Sequence, residues 1–424
     1  MPFARQPACL LVAAFALILA ACAPTAVAPT SAPTSPPQSA AKPTEAAKPA
    51  AGASPAAASP AATGSPVTGG SPAVASPASS PAAAGSAAAS PSPSPAGAAP
   101  ATGAPVTGAP VAAGKPSGKQ LRVGLVTDVG KVDDRSFNQS AWEGVQRAQS
   151  ELGAQVRFLE TTDPKDYAKN IDQFGQEGYD VIVTVGFALG QATQEAAAKY
   201  RTVRFIGVDQ FQPAPIENVS GLTFDEDKAG YLAGALAGLL TKSGVIGGVL
   251  GTDLVPPVVK FGRGYEAGAK AMKPDVRVLM AYHPGGLARG FSDPDWGKTT
   301  TSQMVQQQAD VIFGAGGNTG NGALLGALER NVLAIGVDTD QYETLPQVRP
   351  VLVSSAMKLI TPGVFNLIKT VGDGSFKGGN VTGEVGLAPF HDLADRVPND
   401  VKDRLQQIDR GLKDNSIRTG VQVP

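Results

Sequence analysis

Residues 180–187 read Asp180-Val-Ile-Val-Thr-Val-Gly186-Phe187, and a helical run and Phe205-Ile-Gly-Val-Asp209 follow them. The second half of the chain repeats this order with Asp310-Val-Ile-Phe-Gly-Ala-Gly316-Gly317-Asn318, a helical run and Ala334-Ile-Gly-Val-Asp338. Each copy is an apolar strand, a glycine turn that opens a helix, and a second apolar strand that ends in aspartate. Such a unit has parallel strands, because its crossover is long and right-handed. The two copies therefore predict an α/β protein with two similar lobes.

Four residues of the repeat mark the edge where a ligand is expected. Gly186, Asp209, Gly316 and Asp338 each end or directly follow an apolar strand. In open parallel sheets, ligands bind beyond the carboxyl ends of the strands. The repeat thus places these residues at two ligand-facing rims, one on each lobe.

The repeat extends towards the start of each half. Each half opens with a strand, then a rim loop that carries or leads to a phenylalanine (Phe137 or Phe261), and then a helix. Both helices contain an aromatic–glutamate pair, Trp142-Glu143 in the first half and Tyr265-Glu266 in the second. The duplication therefore covers more than one strand–helix–strand unit.

Composition argues against several classes of protein. The 424 residues carry a net charge of −1 and show no basic cluster on a candidate helix, which argues against a nucleic-acid partner. Cys9 and Cys22 are the only cysteines, so the globular part has no disulfide, thiolate metal site or cysteine nucleophile. His283 and His391 are the only histidines, which leaves little material for a zinc site or a serine triad. We expect no cofactor, no bound metal and no catalytic residues.

Residues 1–22 have the features of a lipoprotein signal peptide. Arg5 precedes an apolar run at 8–21, which is too short to span a bilayer as a mature helix. The run ends in Leu19-Ala-Ala-Cys22, which resembles the bacterial lipobox. This resemblance implies cleavage before Cys22, lipidation of that cysteine, and anchoring at the extracytoplasmic face of the cell membrane. The alternative is an ordinary secretory signal in which Cys22 occurs by chance.

The next segment, residues 23–117, consists almost entirely of Ala, Pro, Ser, Gly and Thr. It cannot bury enough apolar surface to offset the entropy of ordering, so we predict a disordered linker. A flexible chain of this length reaches about 55 Å, and proline extends it further. We expect the linker to hold the globular part clear of the membrane.

Four motifs in the globular part carry a resemblance to a known family. They are Asp134-x-Ser136-Phe137-Asn138-Gln139 followed by Trp142-Glu143-Gly144, Gly316-Gly317-Asn318-Thr319-Gly320-x-Gly322, Gly336-Val337-Asp338-x-Asp340-Gln341, and Ser355-x-x-Lys358. Together they resemble the basic membrane protein family, the lipoprotein substrate-binding proteins of ABC transporters. The resemblance covers residues 121–424.

The resemblance implies a type I periplasmic-binding-protein fold, with two Rossmann-like lobes, a hinge and an interlobe cleft. We assign residues 118–225 and 355–383 to the first lobe, and residues 226–354 and 384–424 to the second. The resemblance also implies a nucleoside-like ligand, with an ABC permease and its ATPase subunits as partners. We expect the protein to be a monomer.

The rims, the repeat and the resemblance together give a set of candidate ligand-binding residues. These are Asp134, Ser136, Phe137, Asn138, Gly186, Phe187, Asp209, Phe261, Gly316, Gly317, Asn318, Asp338 and Lys358. Phe137 and Phe261 are predicted to cover the two faces of a flat heterocycle, which stacks well on aromatic rings. The alternative is that each ring packs against its own lobe.

Each polar candidate has a predicted hydrogen-bonding role and an alternative to it. Asn138 and Asp134 either read the edge of a base or cap their loop. Asp338 is predicted to accept hydrogen bonds from two neighbouring sugar hydroxyls, and the resemblance implies that Lys358 donates to the same sugar. The alternative for Asp338 is a helix cap or turn residue, and the alternative for Lys358 is a solvated surface lysine. Asp209 reaches either the base or the hinge.

The glycines at 314–320 imitate a dinucleotide-binding fingerprint, because they follow a strand and open a helix. Their spacing differs from that fingerprint, since Thr319 occupies the place of its last glycine. The copy around Gly186 lacks the pattern altogether. We therefore favour close approach of the backbone to a ligand over NAD binding.

The leading hypothesis is a lipid-anchored receptor that closes around a nucleoside, most simply a purine nucleoside, and delivers it to a permease. Within this class the alternatives are another heterocycle, a flavin or a sugar. A sensor without transport, or a surface enzyme that acts on nucleosides, is a different class. The enzyme is disfavoured because the sequence offers no pairing of a nucleophile with a base.

Overall fold

The computed structural model describes residues 120–422. The predicted signal peptide, most of the linker and Cys22 lie outside these residues. Twelve strands occur in the described range: β1 Arg122–Val129, β2 Gln155–Thr161, β3 Val181–Val185, β4 Arg204–Val208, β5 Val219–Phe224, β6 Val245–Leu250, β7 Arg277–Tyr282, β8 Val311–Ala315, β9 Leu333–Asp338, β10 Leu352–Lys358, β11 Gly379–Gly383 and β12 Val385–Leu387. Eleven α-helices accompany them there: α1 Phe137–Leu152, α2 Tyr167–Gln176, α3 Gly190–Lys199, α4 Glu226–Leu240, α5 Pro256–Met272, α6 Gly286–Arg289, α7 Pro294–Gln306, α8 Gly317–Arg330, α9 Gln341–Thr344, α10 Ile360–Gly372 and α11 Asn399–Lys413.

The strands form two six-stranded sheets with the same internal order. The first sheet runs β2-β1-β3-β4-β5-β11 and is parallel throughout. The second runs β7-β6-β8-β9-β10-β12, and only the β10–β12 pair is antiparallel. This pair of sheets confirms the predicted α/β class and the two Rossmann-like lobes.

Both sheets are buried where the repeat predicted buried strands. Every residue of β3 and of β8 is buried, as expected for strands covered by helices on both faces. The helix α1 is closed by Gly153, whose φ of 69° is left-handed. Because the strands of each sheet, apart from β12, run parallel, their carboxyl ends lie at one edge, and this edge faces the other lobe.

The chain crosses between the two sheets three times. The crossings follow β5, β10 and β11, and the last one joins β11 directly to β12. Because β10 pairs with β9, residues 355–358 lie in the second sheet and not in the first lobe, to which the sequence assigned them. The helix α10 packs on the first lobe, where Ile360, Val364 and Ile368 belong to the same core as Val123. The helix α11 packs on the second lobe through Leu405 and its neighbours. Three adjacent crossings are the expected basis of a hinge.

Glycines bring α4 and α5 unusually close together. A Cβ atom at Gly234 would overlap the carbonyl oxygen of Tyr265, and one at Gly268 would overlap that of Tyr231. Because α4 begins at a hinge crossing and α5 begins at the cleft, this packing fixes one wall of the cleft to the hinge. Within residues 120–422, no helix combines the length and the apolar character needed to cross a bilayer.

Candidate functional site

A cleft lies between the two lobes and encloses about 820 Å³ of empty space when the open mouth is included. Most of the predicted site residues line it: Asp134, Phe137, Asn138, Gly186, Phe187, Asp209, Phe261, Gly316, Gly317, Asn318, Asp338 and Lys358. The remaining one, Ser136, is buried beside the cleft and donates a hydrogen bond from Oγ to Oδ2 of Asp338 at 2.7 Å. The structure therefore brings the whole predicted set together.

Lys358 is the charged centre of the cleft. Its side chain is almost fully buried, and Nζ lies 2.6 Å from Oδ2 of Asp209 in the other lobe. Nζ also lies 3.9 Å from both Glu226 Oε1 and Asp338 Oδ1. Burial alone would lower the pKa of Lys358, but the three carboxylates outweigh it and raise the pKa. Lys358 is thus a charged, buried ammonium and not the solvated lysine of the alternative.

The two strand-end aspartates share an uncommon backbone conformation. Asp209 has a φ of 60° and Asp338 a φ of 65°, both in the left-handed region that non-glycine residues seldom adopt. Both are buried, and each carboxylate lies near the same ammonium. Oδ1 of Asp209 has no hydrogen-bond partner among the described residues. Strained residues of this kind cluster at functional sites.

Asp134 and Asn138, the two polar candidates near the start of α1, have different roles. The Asp134 carboxylate accepts hydrogen bonds from the backbone N–H groups of Ser136, Asn138 and Gln139 at 2.9–3.0 Å. This is the capping role that the sequence left open, although Asp134 also borders the cleft. Asn138 donates from Nδ2 to Asp128 and Asp134, so its buried Oδ1 remains an unpaired acceptor within the described range.

Asp128, at the end of β1, is a site residue that the sequence reasoning missed. It lines the cleft, and burial raises its pKa to about 7, although the hydrogen bond from Asn138 opposes this. A Cβ atom at Gly186 would lie 2.8 Å from its Oδ2, so this glycine makes room for the carboxylate. The rule that selected Asp209 and Asp338, an aspartate at a strand end, would also have selected Asp128.

The three aromatic candidates differ in how far their rings are exposed to the cleft. The ring of Phe137 is half-buried, and Lys358 Nζ lies 4.6 Å from its centre. Phe261 is only 3% exposed and packs in the core of the second lobe, with its ring 6.1 Å from that of Phe313. Phe187 also lines the cleft and is 44% exposed. The sandwich between Phe137 and Phe261 stays a prediction, and Phe187 offers a further ring surface.

The glycines at 316 and 317 have structural reasons of their own. A Cβ atom at Gly316 would lie 2.6 Å from the backbone nitrogen of Gly251, and Gly317 has a left-handed φ of 54°. Both line the cleft at the start of α8. Apolar side chains of the same lobe, Val258, Leu287 and Phe291, also line the cleft, and the sequence did not single them out.

Comparison with known families identifies this architecture. The family model described as "ABC transporter substrate-binding protein PnrA-like", named Bmp, matches residues 121–388. This chain belongs to the Bmp family. Because the family consists of substrate-binding proteins, the expectation of a binding protein rather than an enzyme is confirmed.

Curated relatives of this Bmp protein share about a third of their residues with it. The CD4+ T-cell-stimulating antigen of Listeria monocytogenes serovar 1/2a is 32% identical over 327 residues, which cover 71% of this chain and 88% of that protein. The ABC transporter nucleoside-binding protein BmpA of Lactococcus lactis subsp. cremoris is 34% identical over 283 residues, which cover 62% of this chain and 78% of the relative. The basic membrane protein A of Borreliella burgdorferi is 30% identical and is covered over 65% of its length, against 53% of this chain.

Solved structures agree with the fold of this Bmp protein. A solute-binding protein of an ABC transporter from Aeropyrum pernix K1 shares 26% identity at a TM-score of 0.63, covering 70% of this chain and 92% of that one. One from Conexibacter woesei shares 24% identity at a TM-score of 0.57, covering 72% and 98%. The predicted type I periplasmic-binding-protein fold is confirmed.

The buried carboxylates predict how the stability of this Bmp protein depends on pH. Burial raises the pKa of Asp128 and of Glu226 to about 7 and that of Asp134 to about 6. Between the lower pKa values of the unfolded chain and these values, the folded state binds more protons. The free energy of unfolding should therefore fall as pH rises from about 4.5 to 7.5.

Asp128→Asn tests this dependence, because the amide resembles the protonated acid and does not titrate. Urea unfolding from pH 5 to pH 8 should show a shallower fall for the variant than for the wild type. Asp163→Asn is the matched control, since that aspartate is exposed and its pKa is lowered by Lys165. Equal pH dependence of Asp128→Asn and the wild type would contradict the assignment.

Proposed function

We propose that this protein is the lipid-anchored receptor of an ABC importer, and that it binds a purine nucleoside between its lobes. The observation that carries the proposal is the placement of three kinds of group in one cleft. These are an aromatic ring, hydrogen-bond acceptors at the end of β1 and the start of α1, and a carboxylate–ammonium pair. A nucleoside needs this combination for its base and its sugar.

The base would lie at the first lobe. Stacking on Phe137 contributes about 0.5–1.5 kcal/mol beyond the area that it buries. Asn138 Oδ1 and the Asp128 carboxylate are acceptors at the same rim, so they suit the N–H groups along the edge of a purine. Phe187, exposed at the rim, would cover the remaining ring surface.

The sugar would lie at the second lobe. Asp338 Oδ2 already accepts from Ser136, and the remaining lone pairs of the carboxylate suit the two neighbouring hydroxyls of a ribose. Lys358 Nζ uses one of its three N–H donors on Asp209 and has others for a sugar oxygen. In a cleft this sheltered from water, charge-assisted hydrogen bonds are strong.

The relatives support both the ligand and the location. The Lactococcus relative is named a nucleoside-binding protein, and relatives from Pyrococcus are named lipoproteins. These names agree with the lipobox sequence that ends at Cys22. We therefore infer an anchor at Cys22 and a place on the extracytoplasmic face of the membrane.

The mechanism is a change of population between open and closed forms. A ligand that contacts residues of both lobes stabilises the closed form by its differential affinity. No bond is made or broken, and the solute leaves intact. The closed receptor would then dock on the permease, whose ATPase subunits drive import.

The test is to identify the solute and measure its affinity. Protein purified without denaturant should release a purine nucleoside on heating, detectable by mass spectrometry. After removal of that solute, calorimetry should show binding of inosine, guanosine or adenosine, and at least about 100-fold weaker binding of a hexose or a flavin. Release of another solute, or tighter binding of the hexose, would overturn the proposal.

A further inference from the structure

A short loop of the first lobe docks on the second lobe beside the cleft. The carbonyl oxygen of Asp134 accepts a hydrogen bond from Asn321 Nδ2 at 2.8 Å. The carbonyl oxygen of Arg135 accepts from Gln341 Nε2 at 3.2 Å and from Thr344 Oγ1 at 2.7 Å. The three donors lie on α8 and α9 of the second lobe, and none of them lines the cleft.

The two amides are locked in orientation by a buried network. Gln341 Oε1 accepts from the backbone N–H of Val337 at 2.9 Å, so its Nε2 must point the other way. That nitrogen donates to Asn321 Oδ1 at 2.8 Å as well as to the first lobe. Asn321 Nδ2 also donates to Asn318 Oδ1 at 3.1 Å. Every polar atom of the two buried side chains is therefore used, which makes the pair rigid.

The loop has an uncommon backbone conformation at the point of contact. Arg135 has a φ of 62°, which few non-glycine residues adopt, and its side chain is exposed. Its side chain therefore does not explain the conformation, whereas its carbonyl group binds two donors. The strained residue directly precedes Ser136 and Phe137, so the contact fixes the start of the predicted ligand-binding segment.

The internal repeat allows the two lobes to be compared, and within residues 120–422 the corresponding glutamine of the first lobe donates no hydrogen bond to the other lobe. In the first lobe, Gln210 follows the equivalent strand, but Nε2 donates only within its own lobe, to Thr184 and to the carbonyl of Gly186. In the second lobe, Gln341 holds its own strand end and also reaches across to the first lobe. The asymmetry is expected if the second glutamine has a role in closure.

We propose that Asn321, Gln341 and Thr344 form an interlobe latch, which holds the loop at 134–136 and populates the closed form without any ligand. The latch residues are positioning residues: they set the affinity by placing Phe137 and Asn138, and they touch no ligand. This inference does not depend on the identity of the solute.

The test measures the distance between the lobes in protein without solute. The full chain carries Cys9→Ser and Cys22→Ser, with spin labels at Gln173→Cys on α2 and Thr299→Cys on α7, two exposed positions. Purification in urea followed by refolding removes bound solutes. Pulsed electron resonance should then show a population at the closed distance in the absence of ligand.

Two variants and a matched control decide the role of the latch. Thr344→Val keeps the side-chain shape and removes one neutral hydrogen bond, so the closed-to-open ratio should fall about two- to tenfold. Asn321→Ala should lower it further. Asn218→Ala is the control, because that buried asparagine donates only to the first lobe's Ala197, Tyr200 and Val203. It should lower the stability but leave the distance distribution unchanged.

Three results would overturn the latch. They are the absence of a closed population in the wild type, an unchanged ratio in Thr344→Val, and an equal loss in Asn218→Ala and Asn321→Ala. If Asn321→Ala fails to fold, Thr344→Val alone decides. Since no nucleoside is added, failure of the proposed ligand would leave these measurements unaffected.

Discussion

Lys358→Met is expected to weaken nucleoside binding by at least about 100-fold and to lower the free energy of unfolding by about 3–5 kcal/mol at pH 8. Methionine matches the length of the lysine stem but carries no charge. Without the ammonium, Asp209, Glu226 and Asp338 would remain buried with their main compensating charge removed. The direct link from β10 to Asp209 in the other lobe would be lost as well.

The loss of stability should depend on pH with a definite sign. Burial already raises the pKa values of Glu226 and Asp338, and removing the lysine takes away a charge that lowers both of them. The folded variant therefore binds more protons than the unfolded one. The difference in free energy of unfolding between the wild type and the variant should shrink as pH falls towards 5. Urea unfolding of both proteins at pH 5 and pH 8 measures this difference directly.

Lys260→Met is the matched control for this prediction. Lys260 also pairs with Glu226, at 3.2 Å, but 37% of its side chain is exposed and it does not line the cleft. Partly exposed pairs contribute about 1 kcal/mol or less. If Lys358→Met proved as stable as Lys260→Met and bound the ligand normally, Lys358 would not be the charged centre of the site.

The strand ends explain why so much of the site could be predicted. In a parallel sheet the carboxyl ends of the strands meet at one edge, so the repeat alone could place Asp209 and Asp338 at the ligand-facing rims of their two lobes. The apolar runs before them fix the strands, and glycines such as Gly186 mark the turns that follow. These are local signals, and a single sequence carries them.

Other features depend on partners far away in the chain. β11 contains two glycines and three exposed residues, and it exists because it pairs with β5, about 160 positions earlier. Phe261 lines the cleft as expected from its analogy with Phe137, but it is also packed into the core of the second lobe, with its backbone against Gly230 of α4. Asn321 and Gln341 bind backbone carbonyls of the other lobe, and a carbonyl leaves no signature in the sequence.

Asp338→Asn should weaken binding of a purine ribonucleoside by about 100-fold, because the sugar hydroxyls lose a charged acceptor. Hydrogen bonds to charged groups contribute about 1.5–3 kcal/mol each, and the amide of asparagine replaces only part of two such bonds. The substitution hardly changes the volume of the side chain, and Ser136 can still donate to the side-chain oxygen of the asparagine. The loss should therefore come from the sugar and not from the packing of the cleft.

Calorimetry with two ligands separates this role from a general effect on closure, since the bond between Asp338 and Ser136 also joins the lobes. The 2′,3′-dideoxynucleoside lacks both hydroxyls, so Asp338→Asn should change its affinity by less than about fivefold. Asp310→Asn is the matched control, because that carboxylate binds Thr241, Lys242 and Ser243 at the far end of β8. An equal loss for both ligands would assign Asp338 to closure alone and remove the sugar from the second lobe.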